Sequence, residues 1–592
     1  MGDTSRQRTS RRAILGLLVA ATPFATGCMA PWFRGATPEE EMQQRRDEIR
    51  TALKESPRLI ADIAFERELT MGVVENVGLV TGLVGTGGPV KPSQPRDRMI
   101  DQMRRNDVKD PNHVLDGPTT TMVIGSVAVP PAARKGAKLD VVIDCSQYSE
   151  AADLEHGWLL ETPLMSMSRL GGTLRRGFKS AVGGGQIVTL AQVSGSDDPA
   201  QKLSGSIIGG ATFLKERDLG LSVEEDFADA ITMAAVLPAI NKRFTVFDGR
   251  EHVGVATPLR DDYVKLTVPG RYRLDPYHFV KVVLHIGFNE DPADRAARLA
   301  ALNAQAQESL TAQRACWQLE AIGEEAIPTL AGALSSPAPD VRFFAAHSLA
   351  YLDSSAAIEP LKQLSVQEPA FRAMALNALA ITDHMEAELA LRGLLHSADS
   401  ETRYGAVRAL RMRDSADPQV TATQIGDAGG VLEIPTESPP LIAVSLTKVP
   451  EIVIFGSSPP VVIPNAIEVN PRLHVKGNDD GTYTVTNQLP GRDRRVATAA
   501  PDLRSLLTSI AGVGGNYGDW VSFVRILSQN SYIAEPVAFN PVPTAGREYA
   551  RRESSELEPG EVAMSGTVIN EVVVEPEEKG ASWMNPTTWF GN

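Results

Sequence analysis

The stretch of this chain most like a ligand cradle is Asn76 to Gly88, NVGLVTGLVGTGG. A phosphate loop needs backbone N–H groups converging on an anion, from G-x-x-x-x-G-K-S/T or from G-x-G-x-x-G opening a helix. Neither spacing is present, and Pro89 stands where such a helix would begin. The nine histidines are scattered, with His278 and His285 in one strand-like segment and His252 in a turn. None is spaced with carboxylates as a metal site needs. Glu224, Glu225 and Asp226 read as charges at a helix start rather than as an acid–base couple. Gly477 to Gly481 (GNDDG) reads as a hairpin, because the spacing and closing glutamate of a Ca²⁺ loop are missing. Cys145 and Cys316 lie in separate candidate domains; a disulfide is possible, two buried thiols are the simpler reading, and two thiols do not make a metal site. Motifs of the H-E-x-x-H, G-x-S-x-G, C-x-x-C and Walker types are absent. The sequence therefore assigns no catalytic, cofactor-binding or metal-binding residue, and the expectation is a non-enzyme.

If the glycine run does no chemistry, it must shape backbone. Val77, Leu79, Val80, Leu83 and Val84 alternate with glycines at 78, 82, 85, 87 and 88. Glycine weakens a strand unless the chain must bend or approach another backbone closely. The run predicts a kinked strand ending in a tight turn.

The 592 residues predict roughly three to four domains. With 43% hydrophobic residues, 22% charged, 49 glycines and 40 prolines, the composition is globular and rich in turns and short strands. A net charge of −15 argues against nucleic acid as a partner, since phosphate binding needs a basic face.

The first 28 residues read as an export signal. Arg6, Arg8, Arg11 and Arg12 precede a short apolar run, Ala13 to Phe24, too short to span a membrane. Ser10 to Leu15 resembles a twin-arginine signal carried by Arg11 and Arg12, and small residues before Cys28 resemble a lipobox. By that resemblance Cys28 carries a lipid anchor, and Met29 favours the outer membrane. An ordinary signal peptide with an incidental cysteine is the alternative.

Residues 36–66 predict a charged helical stalk, with acids first and bases later. Residues 67–290 are mostly strand-like, including Thr119 to Pro130 and Lys138 to Ser146, with one helix expected at Val223 to Phe244. Then the period changes. Ala315, Ala345, Ala375 and Ala406 recur at spacings of 30, 30 and 31, each followed four residues later by Leu319, Leu349, Leu379 and Leu410. A small residue and a leucine on one helix face at this period mark an α-solenoid over 295–413, similar to HEAT repeats, with a plain helical bundle as the alternative. A linker (414–437) leads to β-pattern at Leu441 to Val485 and a helical pair, Asp502 to Ala511 and Asp519 to Gln529. Residues 551–592 are acidic and low in apolar content, which predicts disorder; Trp583, Trp589 and Phe590 end it either as a docking motif or as a stray apolar end. The fold class is α+β: β-rich domains carrying a short inserted α-solenoid.

Taken in order, these segments resemble the bacterial flagellar basal-body P-ring protein family. The resemblance rests on Arg58 to Ala64 (RLIADIA), Val77 to Gly88, Val127 to Pro131, Gly136, Asp140 to Val142 and Leu159 to Leu164. It continues through Leu190 to Gln192, Gly209 to Thr212 and Asp226-Phe227 with Ile240-Asn241. In 438–540 it rests on Glu451 to Ile454, Ile463, Leu506-Leu507, Gly515 and Trp520 to Leu527. The resemblance implies ring-protein domains over 67–290 and 438–540 and a homo-oligomeric periplasmic ring. Its neighbours would be the flagellar rod, the L-ring and peptidoglycan. Gly78, Gly82, Gly85, Gly87, Asp226, Phe227 and Asn241 would then serve structure and assembly. The lipobox, the twin-arginine signal, the solenoid and the acidic tail depart from that family pattern. A non-flagellar envelope scaffold reusing the fold is the second reading, and either reading leaves the solenoid a protein partner still to be identified.

Overall fold

Alternating apolar residues in six antiparallel strands close a barrel in the computed structural model, which describes residues 58–170, 173–488 and 493–549. Around the barrel run Lys138–Cys145, Thr121–Val129, Gly72–Thr81, Trp158–Leu170, Thr173–Gln186 and Ser204–Phe213, and the last pairs back onto the first. Closure gives every strand a partner on each side, and only the outer part of the hairpin beyond Ser166 pairs with itself alone. Val74, Val127, Val141, Leu164 and Ile207 point inward and are buried. Outside the wall, the helix Gln94–Arg105 covers Leu79 and Met122 with Met99 and Met103. Ser93 caps it, Asp97 lies in its first turn, and Arg104 and Arg105 lie in its last.

Beside the barrel, Ala256–Arg260, Tyr263–Leu266, Leu219–Val223 and Ala64–Arg67 form a second antiparallel sheet. It packs with the helices Ala230–Arg243 and Pro276–Leu284. Four expectations change here. The stalk helix expected over 36–66 does not reach its end: Arg58–Leu59 and Ala64–Arg67 are strands joined by a 3-10 turn, because Ile60 and Ile63 are drawn wholly into this core. The helix expected from Val223 starts only at Ala230, because Asp229 is the residue that caps it, accepting from the Ile231 N–H at 3.0 Å. His278 lies on a helix, not a strand. Asp275 caps it and Pro276 opens it, and its valines are buried on every side, which removes the one-sided pattern that identifies a surface helix. His252 begins the short strand His252–Gly254 rather than sitting in a turn.

The repeats fold as eight antiparallel helices from Pro292–Gln305 to Ser400–Arg413. Ala315, Ala345, Ala375 and Ala406 are each fully buried, and the four leucines that follow them are at most 2% exposed. The alanines let successive inner helices approach closely; the leucines fill the layer between, each contributing about 1.5–3 kcal/mol by burial. The solenoid is held by more than its ends. Its core runs on into Leu432, Leu441, Val453 and Phe455 of the following sheet.

That sheet is mixed, in the order Thr423–Ile425, Gly429–Ile434, Glu451–Phe455, Leu441–Val444, Val537–Phe539. A four-stranded meander, Ile467–Asn470 to Arg495–Ala499, and the helices Leu503–Gly512 and Tyr517–Gln529 complete the region around Trp520. The hairpin turn at 477–481 joins two of these strands as expected, with Gly481 at a φ of 79°. Cys28, Arg11, Arg12, the first part of the stalk and the tail 551–592 lie outside the described residues.

Candidate functional site: the glycine edge and the seam behind it

The glycine run is strand Gly72–Thr81 followed by the predicted turn. Two kinds of position occur in it. Gly82 and Gly85 have φ of 80° and 79°, which favours glycine. Gly78 and Gly87 have no room for a side chain: a Cβ would lie 2.6 Å from the Leu159 side chain in the first case and 2.4 Å from the Thr120 carbonyl oxygen in the second. All of these neighbours are within the chain. The turn then carries a second loop on its back. The Glu150 N–H donates to the Pro89 carbonyl at 3.1 Å, the Ala152 N–H to Thr86 at 2.8 Å, and the Thr86 hydroxyl to the Asp153 carbonyl at 2.9 Å. Beyond Leu154 that loop continues to Glu155 and His156.

His156 has a φ of 65° and turns its ring inward, leaving the side chain only 7% exposed. It meets the second β-rich region. Nε2 lies 3.5 Å from Oε1 of Glu155, and Nδ1 lies 3.5 Å from Oδ1 of Asp519, yet neither ring nitrogen has a hydrogen-bond partner. Asp519 sits in the first turn of Tyr517–Gln529 and exchanges backbone bonds with Asn516 in a capping box. Its Oδ1 accepts from Asn470 at 2.8 Å, and Oε1 of Glu155 accepts from Gln192 at 3.2 Å. Burial raises Glu155 to about 7, helped by the charges of Asp153 and Asp519 and opposed by Arg472. Burial likewise raises Asp519 to about 6 and drives His156 down to about 3, with Arg472 adding to the fall.

The same seam is fastened elsewhere. Buried Asp140 of the barrel accepts from the Lys448 N–H at 2.8 Å, and Arg525 donates to the Gln192 carbonyl at 3.1 Å. A separate cluster joins the second sheet to the solenoid. Glu320, fully buried, accepts from the Tyr272 hydroxyl at 2.7 Å and lies 2.8 Å from Nε2 of His278. Burial is the largest single influence on His278 and pushes it down, but the charge and hydrogen bond of Glu320 and the charge of Asp275 together outweigh it, and the net direction is upward.

Of the residues singled out in the sequence, the glycines shape this edge, whereas Asp226, Phe227 and Asn241 lie apart from it. Asp226 and Phe227 form a 3-10 turn; Asp226 is exposed, and Phe227 packs on the second sheet's core. Asn241 pairs with the Ala256 backbone through bonds of 3.0 and 2.8 Å, and Gly254 is pressed against it. Motif reading missed the Glu155–His156–Asp519 cluster. Glu155 and His156 are adjacent in sequence, but Asp519 comes from the far region. Cys145 and Cys316 are free thiols, and no helix among the described residues is long and apolar enough to cross a membrane.

Residues 60–299 match the family model of the flagellar P-ring protein, and residues 296–368 match that of HEAT repeats. The flagellar P-ring protein of Thermotoga maritima is 28% identical over 240 residues, covering 39% of this chain and 67% of that protein. Those of Helicobacter pylori (strain ATCC 700392 / 26695) and Geotalea uraniireducens are 26% and 28% identical, covering 63% and 61% of their own lengths. The P-ring match takes in the barrel and the second sheet and ends within the first solenoid helix, Pro292–Gln305.

Proposed function

We propose that this chain is a structural subunit of a flagellar basal-body P ring, assembling with copies of itself in the periplasm around the rod and so supporting motility. The observation that carries this reading is the span of the P-ring match, 60–299, which takes in the closed barrel with its glycine edge and the sheet beside it. Ring closure needs a heterologous, head-to-tail interface. The barrel wall supplies apolar side chains for one, with Phe178 78% exposed and Trp158, Leu160 and Ile124 exposed beside the inward-facing core. A structural role asks for no catalytic group. L-ring protein and peptidoglycan are the further neighbours in this reading, the solenoid supplies a surface for a protein partner, and Cys28 anchors the chain to the outer membrane.

Deleting the gene and imaging basal bodies tests the proposal: rings and swimming should both be lost. Intact rings in swimming cells would favour the second reading, a non-flagellar envelope scaffold. That reading draws on one observation, the helical block and mixed sheet lying outside the P-ring match. For the anchor, Cys28→Ser should release the protein from membranes, and unchanged mass and fractionation would count against lipidation.

A further inference from the structure

We infer that Glu155, His156 and Asp519 form a binding site for one divalent transition-metal ion of the zinc class, placed across the seam between the barrel and the closing helix Tyr517–Gln529. One ring nitrogen and one oxygen from each carboxylate fall within 4.8 Å of one another. Nε2 lies 3.5 Å from Glu155 and Nδ1 3.5 Å from Asp519, so whichever nitrogen ligates has one carboxylate oxygen at close to the ligand–ligand edge around an ion with bonds of about 2.0–2.2 Å, and the other carboxylate lies within the 4.8 Å set. An imidazole with two carboxylates suits zinc-like ions better than Mg²⁺ or Ca²⁺, which take oxygen ligands.

The ring itself is the second observation. A neutral imidazole has one donor and one acceptor, and a buried group of this kind normally pairs both. His156 pairs neither, although its side chain is 93% covered and each nitrogen faces a carboxylate. A ligated metal would occupy one nitrogen and leave the other to donate to a carboxylate, which is the usual arrangement of a metal-bound histidine. Both carboxylates are already aimed by amides, Glu155 by Gln192 and Asp519 by Asn470, so their orientation does not depend on the ion. Glu155 is the least covered of the three, with 24% of its side chain exposed, and marks the side from which an ion enters. Arg472 acts on both carboxylates through space and opposes a cation, so the site is expected to bind less tightly than a zinc site without a neighbouring guanidinium. The inference does not rest on the ring proposal, since a chain that builds no ring would still carry these groups.

The test is calorimetric titration of the full-length chain with Zn²⁺ at pH 8, where both carboxylates are ionised, with Co²⁺ absorption as a second readout. The expected result is one equivalent bound, an upward thermal shift, and a Co²⁺ spectrum showing four or five ligands. His156→Gln and Asp519→Asn should each weaken binding at least tenfold, and Asn470→Ala should weaken it by about 10–100-fold through loss of orientation. Where His156→Gln does not fold, Glu155→Gln carries the same expectation from the exposed side of the cluster. Cys145→Ser with Cys316→Ser should leave binding unchanged. Failure of the folded wild-type chain to bind stoichiometrically would overturn the site. So would undiminished affinity in the folded His156 or Glu155 variants, loss of binding in the cysteine variant, or displacement of Zn²⁺ by equimolar Mg²⁺.

Discussion

Two buried histidine–carboxylate clusters fasten this molecule together, and they are built in opposite ways. At the solenoid junction, Glu320 sits at zero exposure with both oxygens engaged, one by the Tyr272 hydroxyl and one by His278. At the barrel seam, His156 lies between two carboxylates without a hydrogen bond to either. In the first, both carboxylate oxygens are engaged and the carboxylate supports the histidine's charge, while the His347 and Tyr351 rings packed on His278 keep an unpartnered Nε2 and hydroxyl. In the second, burial works against every ionised group, holding the acids up and the histidine down. Burial of a histidine beside acids therefore does not by itself mark a site; the state of its hydrogen bonds does.

The contrast can be broken by mutation. The largest effect is expected from Glu320→Ala, which strands His278 and the Tyr272 hydroxyl in a dry interior and should cost about 3–5 kcal/mol in urea unfolding followed by tryptophan fluorescence. Asp519→Ala should cost less, about 1–2 kcal/mol, because it removes capping bonds while also relieving a carboxylate that burial disfavours. Equal losses from the two variants would show that the clusters do not differ in kind.

Dependence on pH sharpens the same point. His156 falls from 6.5 to about 3, so its contribution to stability is complete above pH 6.5 and is lost as the pH falls toward 3. Asp519 rises from 3.8 to about 6 and Glu155 from 4.5 to about 7. Their contributions are complete below the ordinary values and are lost as the pH rises through 6 and 7. In chelator, melting temperatures from pH 8 to pH 4 should therefore fall less on the acid side for His156→Gln than for the wild type. Asp519→Asn should remove part of the loss between pH 4 and 6. Superimposable curves would mean that the cluster does not titrate with folding. The smallest effect is expected from Arg525→Ala, which removes the bond to the Gln192 carbonyl at the seam and should cost about 0.5–1.5 kcal/mol in the same unfolding series.

Much of the architecture was legible because it is periodic. Four alanine–leucine pairs at a repeat of 30 or 31 residues placed the inner helices of the solenoid, and all eight side chains are buried. The glycine run was legible as bends and close approaches, and Gly82 and Gly87 show one of each. Pro276–Leu284 was misread because a helix buried on all sides loses the 3.6-residue alternation and leaves only its β-branched valines as a signal. The seam cluster left a single local trace, the Glu155-His156 pair, and a pair without its third ligand is too common to carry weight.

By itself the sequence determined the elements whose stabilisation is local and repeated: the alanine–leucine helices, the alternating strands of the barrel wall, the capped helix after Asp502, and the glycines where backbone bends; the helix Gln94–Arg105 went unread inside a strand-like region. Tertiary structure alone decided the groups that converge from distant parts of the chain. It set Asp519 against His156, laid Glu320 under Tyr272 and His278, and closed Ser204–Phe213 onto Lys138–Cys145. The physical reason is the range of the forces. Backbone hydrogen bonds and side-chain spacing act within a few residues, whereas the desolvation that sets the state of a buried charge depends on everything the fold packs around it.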